Sequence, residues 1–213
     1  MTAPPPVHRH KAPRRDVQTA VADLGKRLGV TGLVLAAVAI GGVIKAHELD
    51  VEQRERPFIH AGAIGQIRSA RTFDVTVLGV RGSTKLKAGD DVYDTDGVWV
   101  LVKVRLMANR DPSFVGYAAV RDTAGRTYRA SRRMDQPLDS RELQPGLPVE
   151  GEVAFEVPRT AVAGLAVRFS SGSYDLRMDA MPEISLGIDR VAAARWLAAP
   201  DALTLADAEA GPT

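Results

Sequence analysis

The sequence predicts a mainly β fold: an antiparallel two-sheet sandwich of about seven strands, preceded by a single transmembrane helix. Three observations predict it. Short runs of strict apolar–polar alternation recur between residues 65 and 188, and turn-forming residues separate them. No segment of helical period lies between the runs, so parallel strands joined by crossover helices are not expected. One continuous apolar run, Leu28–Ile44, stands apart near the N-terminus and carries no charge.

Residues 1–27 form a basic tail. Pro4-Pro5-Pro6 and the stretch His8 to Arg15 offer nothing to build a core with, so disorder is expected there. Residues 1–45 hold seven basic and two acidic side chains. Of the chain's 28 basic and 26 acidic residues, that leaves 21 and 24 in the remainder. The larger part is thus slightly acidic, and the high pI is no argument for nucleic-acid binding. Arg outnumbers Lys 22 to 6, which reads as the codon usage of a GC-rich bacterial genome.

Leu28–Ile44 is 17 residues long with Thr31 as its only polar side chain. This is the short end of the spanning range, and Lys26, Arg27 and Lys45 can extend it by reaching to the head groups. A helix satisfies its own backbone in lipid. A buried core helix should show charge on one face, and this run shows none. A cleaved signal peptide is the other alternative, but Ile44 spoils the small-residue pattern that cleavage needs. Arg14-Arg15 lies too far from the apolar run to serve as a twin-arginine signal. Six basic residues precede the run and one follows it closely. The N-terminus is therefore placed in the cytoplasm and the C-terminal domain outside it.

Residues 45–64 are read as a juxtamembrane linker, and residues 65–188 as the extracytoplasmic domain. Its strands are expected around Phe73–Val77, Val98–Leu106, Val115–Arg121, Arg126–Ala130, Val153–Val157, Leu165–Phe169 and Ile184–Ile188. Residues 189–213 are expected to give a short helix anchored by Trp196 and a frayed tail.

Three pieces in order carry a family resemblance: VWVLVKVRLMANRDPS from Val98, the D-x-x-G-x-x-Y hairpin of AAVRDTAGRTYRAS, and LQPGLPVEGEVAFEVPRTAVAGLAVRF ending at Phe169. Together they resemble a bacterial family of membrane-anchored proteins and lipoproteins with an immunoprotective-like, immunoglobulin-like β-sandwich domain of unknown function. The resemblance covers about 70 residues by the spacing of these pieces. It implies a surface-exposed, non-catalytic module and no particular ligand.

The chemistry available to the domain is narrow. There is no cysteine, and His8, His10, His47 and His60 all precede Gly65. Serine or cysteine nucleophiles paired with histidine, and the common zinc sites, are therefore not expected in the domain. Asp90, Asp91, Asp94 and Asp96 fall in GDDVYDTDG, read as a loop between strands, and are weak calcium candidates. Their spacing is not that of an EF-hand. Arg126, Arg129, Arg132 and Arg133 cluster near Tyr128 and could face an acidic partner. Trp99 lies on the face opposite Val98 and Val100; it is either a partner surface or a residue covered by the juxtamembrane segment or the C-terminal tail. The reading that follows is an interaction or accessory module of the cell envelope. It has no cofactor, a lipid contact through Leu28–Ile44, a protein partner in a membrane complex and no nucleic acid. The alternative is an envelope calcium binder or carboxylate enzyme using Asp90–Asp96.

Overall fold

The computed structural model describes residues 56–173, 176–199 and 201–212. The basic tail and the apolar run Leu28–Ile44 lie outside the described residues. Among those described, no helix is long and apolar enough to cross a membrane.

Among the described residues eleven strands form two sheets. In chain order they are β1 (Phe58–Ala63), β2 (Ile67–Ser69), β3 (Phe73–Ala88), β4 (Asp91–Ala108), β5 (Tyr117–Arg121), β6 (Thr127–Arg129), β7 (Val149–Val157), β8 (Ala166–Ser170), β9 (Ala180–Ser185), β10 (Leu203–Thr204) and β11 (Glu209–Ala210). One sheet has the order β1-β9-β8-β5-β6. The other has β10-β3-β4-β7-β11, with β2 also paired to β3. All seven expected segments, the five runs of alternation among them, lie wholly or partly in strands. The last is shifted: the strand is Ala180–Ser185, and Leu186 and Ile188 follow it as buried extended residues.

The core lies between the sheets and follows the alternation. Val98, Val100, Val102, Val104 and Leu106 of β4 face Val153, Phe155 and Val157 of β7 on one side. Val167, Phe169 and Ile184 of the other sheet complete it. All are buried, so each contributes roughly 1.5–3 kcal/mol of transfer free energy. The one α-helix among the described residues, α1 (Arg190–Ala198), starts at Asp189, whose carboxylate caps it by accepting from the Ala192 N–H at 2.7 Å. Trp196 is its anchor, as expected. The ring lies directly on the β3 backbone at Gly82, where a Cβ would overlap it.

Three expectations need correction. First, residues 58–63 of the supposed linker are a strand, β1, which pairs parallel with β9. Second, the C-terminal tail is not frayed. β10 pairs parallel with β3 and β11 antiparallel with β7. The sheets are therefore not purely antiparallel. In neither parallel pair are the two strands consecutive in sequence, so no tight hairpin dictates their direction. Third, Asp91, Asp94 and Asp96 are not in a loop. They belong to β4, and only Gly89-Asp90 turn the β3–β4 hairpin, with Gly89 at φ +59°.

Candidate functional site

At Ala130 the chain leaves one sheet for the other. The Ala130 N–H still donates to the carbonyl of Ala118 on β5 at 3.0 Å. The next N–H, of Ser131, donates to Ala154 of β7 at 2.9 Å. The segment that follows stays on β7 through a side chain. Gln136 accepts from the Ala154 N–H at 3.0 Å, and its amide nitrogen donates to the Ser131 carbonyl at 2.9 Å. Leu138 then lies on β7 at Gly151, where a Cβ would crowd it. This crossing leaves a cavity of about 150 Å³ between β5, β6 and residues 131–139. Its floor is core: Leu106, Val153 and Phe169. The exposed residues Arg129, Arg132 and Asp139 also line it.

The four arginines expected to form one basic cluster are dispersed around this crossing. Arg126 belongs to the D-x-x-G-x-x-Y hairpin, where Asp122 organises the turn. The Asp122 carboxylate accepts from the Ala124 and Arg126 N–H groups, both at 2.9 Å. It also accepts from the Arg126 guanidinium at 2.7 Å and from the Tyr128 hydroxyl at 3.2 Å. Burial pushes the Asp122 carboxyl up, but the hydrogen bonds from Arg126 and Tyr128 outweigh it and hold it below the usual carboxylate value. Burial first, and the bond to Asp122 second, push the Tyr128 phenol up. The motif is thus a built turn. Arg129 stacks over Tyr117 at 5.0 Å from the ring centre. Arg133 lies on the opposite sheet, over the rings of Tyr93 at 5.7 Å and Trp99 at 5.2 Å, and donates to Glu156 at 2.9 Å. Among the described residues, neither Arg129 nor Arg132 is paired with a carboxylate.

Trp99 is not a partner surface. It is fully buried on the outer face of the β3–β4–β7 sheet, with Leu86, Leu101, Ala154, Met134 and Leu205 around it. Its indole N–H donates to the Tyr93 carbonyl at 2.9 Å. The C-terminal segment covers it, which was one of the two alternatives for this residue.

The aspartates of the hairpin do not converge. Asp94 reaches Lys85 at 4.0 Å, and the backbone carbonyls of Asp94 and Asp96 accept from Arg133 and Arg159. Among the described residues no three His, Cys, Asp or Glu side chains come together as metal ligands. A strand that alternates faces and carries an irregularity opposite Ser83–Lys85 spreads its acids out. The expectation of a domain without histidine is also corrected. His60 lies on β1, exposed, with Nδ1 3.2 Å from the Ser69 carbonyl oxygen.

The crossing at Ala130 and the cavity were missed from sequence. The available signal was the run Ser131–Gln136, polar but for Met134, which does not continue the alternation of β6.

No family model matches the chain. None of the curated proteins matches it significantly. Three solved structures are similar in fold. The secreted protein MPT63 of Mycobacterium tuberculosis aligns at 18% identity over 59% of this chain and 98% of its own, with a TM-score of 0.45. An uncharacterized beta-sandwich protein from Clostridium difficile aligns at 10% identity over 61% and 96%, with a TM-score of 0.40. The yjhA protein from Bacillus subtilis aligns at 16% identity over 58% and 99%, also at 0.40. The described domain of this chain is itself a sandwich of two β-sheets.

Proposed function

We propose that this chain is a single-pass, membrane-anchored module of the bacterial cell envelope, with its sandwich outside the cytoplasm and a binding rather than a catalytic role. The anchoring rests on the charge-free run Leu28–Ile44 and the basic excess before it. The resemblance to envelope proteins with an immunoglobulin-like domain agrees with it.

The observation that carries the non-catalytic reading is the commitment of the buried carboxylates to structural partners. Asp122 holds its own turn. Glu150 takes Arg105 at 2.7 Å and Lys103 at 3.2 Å. Glu152 takes the Arg81 guanidinium through two nitrogens, at 2.9 and 2.7 Å, and the Ala206 N–H at 3.0 Å. Asp179 accepts from the Ser170 hydroxyl and lies 3.7 Å from Arg71. A general acid or base must be free to exchange a proton with a substrate. These four are engaged in holding strands and turns together. A protein partner in a membrane complex fits an anchored module of this kind.

Reporter fusions test the orientation. A reporter active only outside the cytoplasm is expected to work when fused after Thr213 and to fail when fused before Arg27. Activity of a cytoplasm-dependent reporter at the C-terminus would overturn the reading.

A further inference from the structure

The strand registers bring four loops and the start of β1 to one end of the sandwich. Phe58 of β1 is level with Ala180 of β9, and Tyr117 of β5 with Ser170 of β8. In the other sheet Phe73 of β3 is level with Ala108 of β4, which bridges to Pro145. Arg71, 3.7 Å from Asp179, and the contact between the Thr72 and Ser113 hydroxyls tie the two sheets together here. This end carries four of the nine large apolar side chains that are exposed among the described residues. They are Phe58 at 56% exposure, Phe114 at 48%, Leu147 at 62% and Met178 at 51%. Of the five phenylalanines, the other three, Phe73, Phe155 and Phe169, are core. Arg56, Arg71, Arg110 and Asp111 are exposed at the same end. The opposite end is different in kind. There the β3–β4 turn carries Asp90, Asp91, Asp94 and Asp96, all exposed.

The chain enters the described domain at the apolar end. Thirteen residues, 45–57, separate Ile44 from Phe58. Fully extended they reach no more than about 45 Å. β4 has 18 residues, so the β3–β4 turn lies roughly 60 Å from the entry end. If Leu28–Ile44 spans a bilayer, the tether is too short to bring the aspartate turn down onto it. It leaves the apolar end within reach. The tether also makes the encounter intramolecular, so a few weakly binding side chains are enough to hold it.

We propose that this end of the sandwich seats on the lipid surface of the bilayer that anchors the chain. Phe58, Phe114, Leu147 and Met178 enter the boundary between head groups and acyl chains, and the arginines stay among the head groups. Four aspartates at the far end would be repelled by the same surface. The proposal rests on the anchored-module reading and adds how the domain stands on its membrane.

The chain has no cysteine, so a single one can be placed and labelled. The test uses the full chain reconstituted in phosphatidylcholine–phosphatidylglycerol vesicles. A bimane fluorophore is attached at Asp111→Cys or at Asp90→Cys, with and without nitroxide-headgroup lipid as quencher. Flotation at alkaline pH checks the anchor in the same samples. The label at residue 111 is expected to lose most of its emission to the quencher, and the label at residue 90 to keep its own. Adding Phe114→Ser with Leu147→Ser is expected to restore the emission at 111 without lowering the melting temperature, because both side chains are exposed. Release of the chain from vesicles at alkaline pH would overturn the anchored reading and the proposal with it. Retention with equal quenching at 111 and 90, with none at 111, or with quenching unchanged by the serine pair would overturn the proposal alone.

Discussion

The outer face of the β3–β4–β7 sheet is two surfaces built on the same strands. Around Trp99, Leu101 and Ala154 it is apolar and sealed by Met134, Leu203 and Leu205. A few residues further along it is ionic, with Arg81, Lys103 and Arg105 facing Glu150 and Glu152. The C-terminal segment closes both halves. Leu205 sits on the apolar half. The Thr204 carbonyl and the Ala206 N–H bind Arg81 and Glu152 in the ionic half. One cover is therefore held by two kinds of force. The apolar half is held by desolvation, which is indifferent to pH. The ionic half is held by pairs that must keep their charge. The lesson is that a strand face can be buried without being apolar, provided each charge meets its partner.

The largest effect is expected in the apolar half. Trp99→Ala should destabilise by about 3–5 kcal/mol, measured by denaturant unfolding. A loss below about 1 kcal/mol would mean the indole is not sealed. In the ionic half, Glu152→Gln should cost about 1–3 kcal/mol, less because Arg81 is partly exposed and can recover water. It should also speed hydrogen exchange at the Ala206 amide, while the Trp99 region stays protected. Equal loosening of both halves would show that they are one surface.

A smaller effect separates the halves by pH. The hydrogen bond from Arg105 holds the Glu150 carboxyl below its ordinary value. It outweighs the opposing effect of burial, and Lys103 adds to it. A depressed carboxyl contributes stability above its unfolded value of about 4.3 and loses it as pH falls through the folded value. Stability should therefore decline below about pH 4.5 in the native protein, and less steeply in Glu150→Gln. The penalty of Trp99→Ala should stay constant over the same range. Parallel acid profiles for native protein and Glu150→Gln would remove Glu150 from the account.

The two halves were unequally legible in sequence. The run Val98–Val102 has apolar residues on both faces, which signals burial on both sides. What covers the second face was not readable, because β10 and β11 are two residues each and carry no alternation of their own. β1 escaped for a related reason: its residues are mostly exposed on an edge, so no apolar period marks them. The aspartates of β4 read as a loop because aspartate and glycine favour turns. In the structure most of that arm is exposed or half-exposed, so polar residues carry no penalty there. The inner runs of β3, β4, β7, β8 and β9 were legible because burial on one face imposes a period of two. The arginine group was not, since the change of sheet at Ala130 places Arg129 and Arg133 on different sides of the molecule.

The central structural claim is that the sandwich is complete only with β1 and the segment after Asp189 in place. Its most direct test compares two segments expressed alone, residues 56–213 and residues 65–189, by far-ultraviolet circular dichroism and tryptophan fluorescence during thermal unfolding. The longer segment retains β1, α1, β10 and β11. It is expected to show a β-type spectrum, a buried tryptophan signal and one cooperative transition. The shorter one loses the cover of Trp99 and Leu86 and is expected to show red-shifted emission and a melting temperature lower by many degrees, or no transition at all. Equal stability of the two segments, with the same buried emission, would contradict the account.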